Sequence, residues 1–235
     1  GVYGSKDRYE GNAMVNRFVN NDQITFMGGT NNTNNMGFSD LASTMFSGMG
    51  GGGGRRGGFG AGSGITSSGN AGLNFSKEFK PDKLTLGGNT RYSHSDNDAR
   101  SKSDRQNILP GDSSSYDNMS RTKSDNFGVD FRLEWKPDTM TQLIFRPSFS
   151  LSHSMNDNFS DATTLDNERD TVNTNKSSNY SESNGYNLNA SIDFSRKLNN
   201  KGRVFSATLS GGNSDSYSDG MNRSDIVYFN QTDAL

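Results

Sequence analysis

The sequence predicts an all-β chain of antiparallel up-and-down strands. Three observations carry that expectation: runs in which apolar and polar residues alternate, tight turns at nearly even spacing, and an apolar-poor composition that is still rich in aromatics. Only 29% of the 235 residues are hydrophobic, and the mean hydropathy is -0.86. A water-soluble domain of this length would lack apolar material to offset its ordering entropy. Disorder fits no better, because 15 Phe and 8 Tyr stand against 4 Pro and a formal charge of -2. A barrel wall needs only one apolar face, since its other face meets water. No stretch approaches the roughly 20 apolar residues of a membrane-spanning helix. The absence of Cys removes disulfides and thiolate metal sites, and the near-neutral charge gives no general attraction to nucleic acid.

Taken in order, the first hairpin turns around Asn20 to Asp22. Its alternation is mixed, with Met14 and Phe18 competing against Ala13 and Val15 for the apolar face, which predicts a bulge. In the second hairpin Ala71, Leu73, Phe75 and Phe79 alternate with Gly72, Asn74 and Ser76. After the turn Lys80, Pro81, Asp82, the alternation resumes with Leu84, Leu86, Gly88, Thr90 and Tyr92. The third is the clearest. Phe127, Val129, Phe131, Leu133 and Trp135 alternate with Gly128, Asp130, Arg132 and Glu134, and Lys136, Pro137, Asp138 leads into Leu143, Phe145, Pro147, Phe149 and Leu151. In the fourth, Tyr186, Leu188, Ala190, Ile192 and Phe194 precede a turn at Asn199, Asn200, Lys201, and Phe205, Ala207 and Leu209 follow it.

Turn centres near Asn21, Pro81, Pro137 and Asn200 fall 60, 56 and 63 residues apart. Long polar connections are expected at about 31–70, 95–120, 156–180 and 213–224, with the polar alternation at Ser93 to Ser95 and Ser181 to Asn184 carrying strands past a membrane. Alternating short and long connections characterise transmembrane β-barrels, with short turns in the periplasm and long loops outside. The expected architecture is therefore an antiparallel up-and-down transmembrane β-barrel segment over residues 1–235, about eight strands forming a partial arc of a larger barrel. In that register Leu73, Phe75, Leu84, Leu86, Phe127, Val129, Phe131 and Leu133 face lipid. So do Leu143, Phe145, Phe149, Leu151, Leu188, Ile192, Phe205 and Leu209. Phe18, Phe79, Trp135 and Phe194, next to the turns, form an interfacial girdle, and Arg91, Asp130, Arg132, Glu134, Arg146 and Asp193 face the lumen. A soluble β-sandwich or sheet solenoid also alternates, but the chain offers little apolar material for a second layer.

The segment DRYEGNAMVNRF from Asp7 to Phe18, the run NNTNN at Asn31 to Asn35, and GITSSGNAGLNFSKEF from Gly64 to Phe79 resemble the TonB-dependent-receptor-like outer-membrane β-barrel family of Bacteroidota. The resemblance implies a Gram-negative outer-membrane location, contact with outer-membrane lipid, and a barrel of about 22 strands. It also implies an N-terminal plug and a TonB-contacting segment, neither of which is recognisable in this chain. The chain starts at Gly1 with no leader, and Ile226, Val227 and Phe229 read as the opening of another strand, so a fragment of the barrel is expected.

Other motifs carry less. Gly52, Gly54 and Gly57 match dinucleotide-binding spacing only because they lie in a glycine tract with no strand before it or helix after it. Arg55 and Arg56 do not repeat as an RNA-binding segment would. Met36, Phe38, Leu41, Met45 and Met49 suggest a short amphipathic cap over the barrel mouth. His94 and His153 continue the apolar register at the upper end of their strands and read as rim residues. Acidic groups at Asp96, Asp98, Asp166 and Asp170 match no calcium-loop spacing. No catalytic, metal or cofactor residue is expected, and the chain is not expected to be an enzyme. The expected function is barrel wall of a TonB-dependent-receptor-like transporter for an unidentified ligand. A small closed outer-membrane barrel with a structural or adhesin-like role is the alternative, and a secreted, water-soluble sheet-rich adhesin is a third.

Overall fold

The structure, a computed structural model, describes residues 2–3, 7–34, 64–106, 112–199 and 202–229. One sheet contains every strand in chain order, each antiparallel to its neighbours. The strands are β1 (Val2–Tyr3), β2 (Tyr9–Val19), β3 (Asp22–Asn31), β4 (Ile65–Lys80), β5 (Leu84–Gln106), β6 (Ser113–Trp135), β7 (Thr141–Leu165), β8 (Thr171–Lys197) and β9 (Val204–Tyr228). Because β1 has only two residues, the sheet amounts to eight long up-and-down strands. It is open: β1 and β9 are its two edges. Among the described residues there is no helix.

Side chains that suit tight reversals make the turns. Asn20 and Asn21 connect Val19 to its partner Asp22, with Asn20 in the left-handed region at φ 54°, a conformation Asn tolerates through its short polar side chain. Pro81 presets the next turn, Asp82 takes φ 55°, and Lys83 N–H donates to the Lys80 carbonyl at 3.0 Å. In the third turn Asp138 Oδ1 accepts from both Met140 N–H and Thr141 N–H at 2.7 Å, an Asp side chain standing in for backbone. The centre expected at Asn200 lies outside the described residues, as do the glycine tract, its arginines and the expected Met-rich cap.

From β5 to β9 the register holds over almost the entire length. Pro147 tests it, since proline cannot donate to a ladder. The β6–β7 ladder passes from Asp130–Ser148 to Leu133–Phe145 without slipping, while Pro147 still pairs with Ala190 on its other side. Two expectations are corrected. The first hairpin carries no bulge, because β2 and β3 pair without a break from Glu10–Asn31 to Val19–Asp22; register shifts fall instead at Glu78/Lys80 and Thr164/Leu165. Most of 95–120, 156–180 and 213–224, expected as loops, is strand. Their Ser and Asn content imitates a loop, but successive residues pair across strands and satisfy the backbone, which composition does not record.

Antiparallel partners share a face, so the register defines two surfaces, here called the Phe131 face and the Arg132 face. Among the described residues Met27, at 1% exposure, is the only buried apolar side chain. It lies on the Arg132 face with buried Thr25, Asn74 and Asn89, so cover is concentrated on that side of β3 to β5. On the Phe131 face, Phe75 of β4 and Phe131 of β6 meet edge to face over Gly88 of β5, with centroids 6.3 Å apart. A Cβ on Gly88 would stand 2.7 Å from Phe131 and 3.0 Å from Phe75. Gly88→Val is therefore expected to destabilise the folded chain by about 1–3 kcal/mol, as an overpacked site does, seen as a lower urea midpoint. Gly11→Ala, where nothing lies within 4 Å of the added carbon, serves as the control and leaves it unchanged.

Candidate functional site

The surface with the most chemical organisation is the sheet itself. One row across the Phe131 face runs Leu84, Trp135, Leu143, Phe194, Ala207, and four rows above it another runs Tyr92, Phe127, Leu151, Tyr186, ending on β9 in the charged Asp215. Between them stand Leu86, Leu133, Phe145, Ile192 and Leu209, then Gly88, Phe131, Pro147 and Ala190, then Thr90, Val129, Phe149 and Leu188. On β4, Leu73 pairs with Thr90 and Phe75 with Gly88, and Phe205 lies on the same face of β9, opposite Arg196. All the residues assigned from alternation to one apolar face thus share it, and many stay bare: Phe131 is 42% and Leu209 71% exposed.

The aromatics near the turns divide. Trp135 and Phe194 lie on the Phe131 face at its lower margin, and Phe194 meets Phe205 with centroids 6.3 Å apart. Phe79 sits within the Glu78/Lys80 shift, with Lys77 Nζ 5.4 Å from its ring centroid. Phe18 is a correction: it pairs with Gln23, as Met14 pairs with Met27, and so lies on the Arg132 face. Its run contained two candidate apolar sets, and partner register decides between them. Alternation alone could not.

Arg91, Asp130, Arg132, Glu134, Arg146 and Asp193 all fall on the Arg132 face, joined by pairing or by shared parity along their strands. They form three ion-paired groups rather than isolated charges. Arg91 reaches Asp130 at 3.2 Å, and its guanidinium lies over Gly128, where a Cβ would stand 3.1 Å from Nε. Arg132 reaches Glu134 Oε2 at 3.2 Å, and Lys136 Nζ and Gln142 Nε2 both reach its Oε1 at 2.8 Å. Arg146 pairs with Asp193, which also accepts from the Thr208 hydroxyl at 2.8 Å.

Above the Tyr92–Phe127–Leu151–Tyr186 row the Phe131 face changes character. The next row is His94, Asp125, His153, Asn184, Tyr217, and above it come Asp96, Lys123, Met155, Glu182, Asp219. Further up, Arg121 grips Asp96 through Nε at 3.0 Å and Nη2 at 2.7 Å, and Arg100 and Lys102 converge on Asp117. The opposite face of the same upper segments is neutral but for Arg105 near the end of β5: Ser95, Ser124, Ser154, Ser183 and Ser218 form one row, and Ala99, Ser120, Asn158, Asn179 and Asn222 another. Sequence reading missed this sorting of charge to one face, although continuing the period-two parity past Tyr92 and Phe127 would have found it.

The two histidines lie on one row, on either side of Asp125. Asp125 Oδ1 accepts from the Tyr92 hydroxyl at 2.6 Å and lies 2.8 Å from His94 Nδ1, and His153 Nδ1 lies 2.7 Å from Asn184 Oδ1. Among the described residues no group of three or more His, Asp or Glu side chains is placed to hold a metal ion. No protein-family model matches the chain, and no curated protein is significantly similar to it.

The upper ion pairs carry a pH signature. The hydrogen bond from Arg100, seconded by Lys102, holds the Asp117 carboxyl down to about 2 against an ordinary 3.8, and the Arg121 hydrogen bond likewise lowers Asp96. A carboxyl depressed by folding stabilises fully above its unfolded pKa and loses that contribution as pH falls through its folded value. Amide protection of β6 near Asp117, corrected for intrinsic exchange, is expected to hold down to about pH 4 and to fall between about pH 4 and 2. Asp117→Asn removes most of that step.

Proposed function

We propose that the chain is part of the wall of an outer-membrane β-barrel, with the Phe131 face against lipid and the Arg132 face toward an aqueous lumen. The observation that carries this reading is the bounded apolar band. A single sheet layer exposing Phe131, Trp135 and Leu209 has no core to bury them in water, whereas lipid covers such a face without a second layer. Trp135 to Phe127 spans eight residues, about 27 Å of strand. Leaning 35–45°, that length stands about 19–22 Å tall, and the rings at both margins fill out a band of about 25 Å. Rings at the lower margin (Trp135, Phe194) and upper margin (Tyr92, Phe127, Tyr186) correspond to two interfacial girdles.

The turns support the same orientation. Followed across the register, the row two residues below Ile24, Phe75 and Gly88 begins at Asp22 beside the first turn. It reaches β9 at Leu209, five residues above Val204, which closes the last turn with Lys197. Five residues of stagger over six strand steps is a lean of about 30° at 3.4 Å per residue and 4.8 Å between strands, close to that of membrane barrels. An open β9 edge cannot remain bare in lipid, where every N–H and C=O needs a partner, so the wall belongs to a larger closed barrel.

Within this reading, the function we favour is uptake through a TonB-dependent-receptor-like transporter, resting on the resemblance at Asp7 to Phe18 and Gly64 to Phe79 and on a charged, ion-paired lumen wall. A plug and the TonB system are the partners it implies, and the ligand is unidentified. The chain has no Cys, so single cysteines report facing directly. In proteoliposomes, Cys at Phe131 and Phe149 is expected to resist a water-soluble maleimide, and Cys at Arg132 and Ser150 to react with it. The opposite pattern sinks the membrane assignment.

A further inference from the structure

On the Phe131 face, where the apolar band gives way to the charged belt, lies an open depression of about 490 Å³. Phe127 and Leu151 form its floor, and Tyr92, Tyr186 and Tyr217 line it with rings. At its upper rim stand Asp125, His153 and Asn184. We infer that this depression binds the sugar headgroup of an outer-leaflet glycolipid, an inference that rests on the membrane reading above.

Three features select that ligand. Tyr rings offer flat, weakly polar surfaces suited to the C–H face of a pyranose, and they carry a polar tip for its hydroxyls. The rim supplies a carboxylate, an imidazole and an amide, groups that exchange hydrogen bonds with hydroxyls. The Tyr92 and His94 bonds converge on Asp125 Oδ1, so neither uses Oδ2. Charge argues against a headgroup recognised through its phosphate alone, because Asp125 and Asp215 line the depression and Glu182 and Asp219 stand above it against Lys123, Asp96 being taken by Arg121. A hydroxyl-rich or amino sugar is compatible with that acidic surrounding.

Position selects a lipid over a free sugar. The floor continues downward, without a polar break on β6 to β8, into Val129, Phe149 and Leu188, and the acyl chains of a lipid held by its head would lie along them. The site is held in place by its neighbours. Asn213 Nδ2 donates to the Tyr186 hydroxyl at 3.1 Å, and the Tyr92 hydroxyl is tied to Asp125.

The test uses the complete closed barrel that contains this chain, purified in detergent, with native mass spectrometry counting retained diglucosamine lipid A, phosphatidylethanolamine or the lipid-free diglucosamine. One lipid A per chain is expected to be retained, and phosphatidylethanolamine and free disaccharide to bind at least about tenfold more weakly. Tyr186→Ala and Asp125→Ala should each weaken lipid A retention about tenfold, as loss of an anchoring contact does. Leu209→Ala, lower on the same face, should leave it unchanged. Equal retention of phosphatidylethanolamine, or unaltered binding by both variants, overturns the site while shielded cysteines at Phe131 and Phe149 would leave the membrane reading standing. Free disaccharide bound as tightly as lipid A overturns the lipid assignment. Water-reactive cysteines at those two positions overturn both.

Discussion

Everything in this sheet depends on a register kept across five long strands with a single shift, at Thr164/Leu165 near the upper end of β7. Side chains alternate with a period of two, so a shift of one residue would carry every apolar side chain to the polar face and every charge to the apolar one. Several features hold the register in place. Pro81 and Asp138 fix where their turns reverse, Gly88 leaves room for Phe75 to meet Phe131 across an intervening strand, and Gly128 leaves room for the Arg91 guanidinium. Each works only in one alignment of the strands.

The absence of a conventional core follows from the same arrangement. Among the described residues only Met27 is buried and apolar, yet a continuous apolar surface extends from Trp135 to Phe127 and across to Leu209. In a soluble protein that surface would lie against a second layer; in the membrane reading proposed above, lipid takes that place. Polar organisation on the other face is correspondingly explicit, with Glu134 taking bonds from Arg132, Lys136 and Gln142 and Asp193 from Arg146 and Thr208.

Much of this was legible in the sequence, because alternation is a local property. The strands around Phe131, Phe149 and Leu188, their common face, and the ion-paired residues opposite could be read from residue parity and the intervening turns. Three features were not legible, for separate reasons. Phe18 sits in a run with two candidate apolar sets, and only its pairing with Gln23 assigns the face. The upper segments were read as loops because Ser and Asn dominate them, whereas their stability comes from partners distant in sequence, such as Arg121 with Asp96. The meeting of His94 with Asp125, and of Asp125 with His153 across the next strand pair, joins three strands, and no local pattern announces it.

The height of the wall has a consequence of its own. Strand β5 continues fourteen residues beyond Tyr92, to Gln106, and its neighbours rise with it. At 3.4 Å per residue this is about 48 Å of strand, or roughly 35–40 Å of elevation once it leans. If the Phe131 face lies against lipid as proposed, with a bilayer core about 30 Å thick, the upper hairpins would stand further above the surface than the core is deep. Anything arriving from outside would meet the β5–β6 and β7–β8 tips long before it reached lipid. Antibodies, phage or proteases would therefore sample those tips first, and their sequence could drift under that pressure with little effect on the paired rows below.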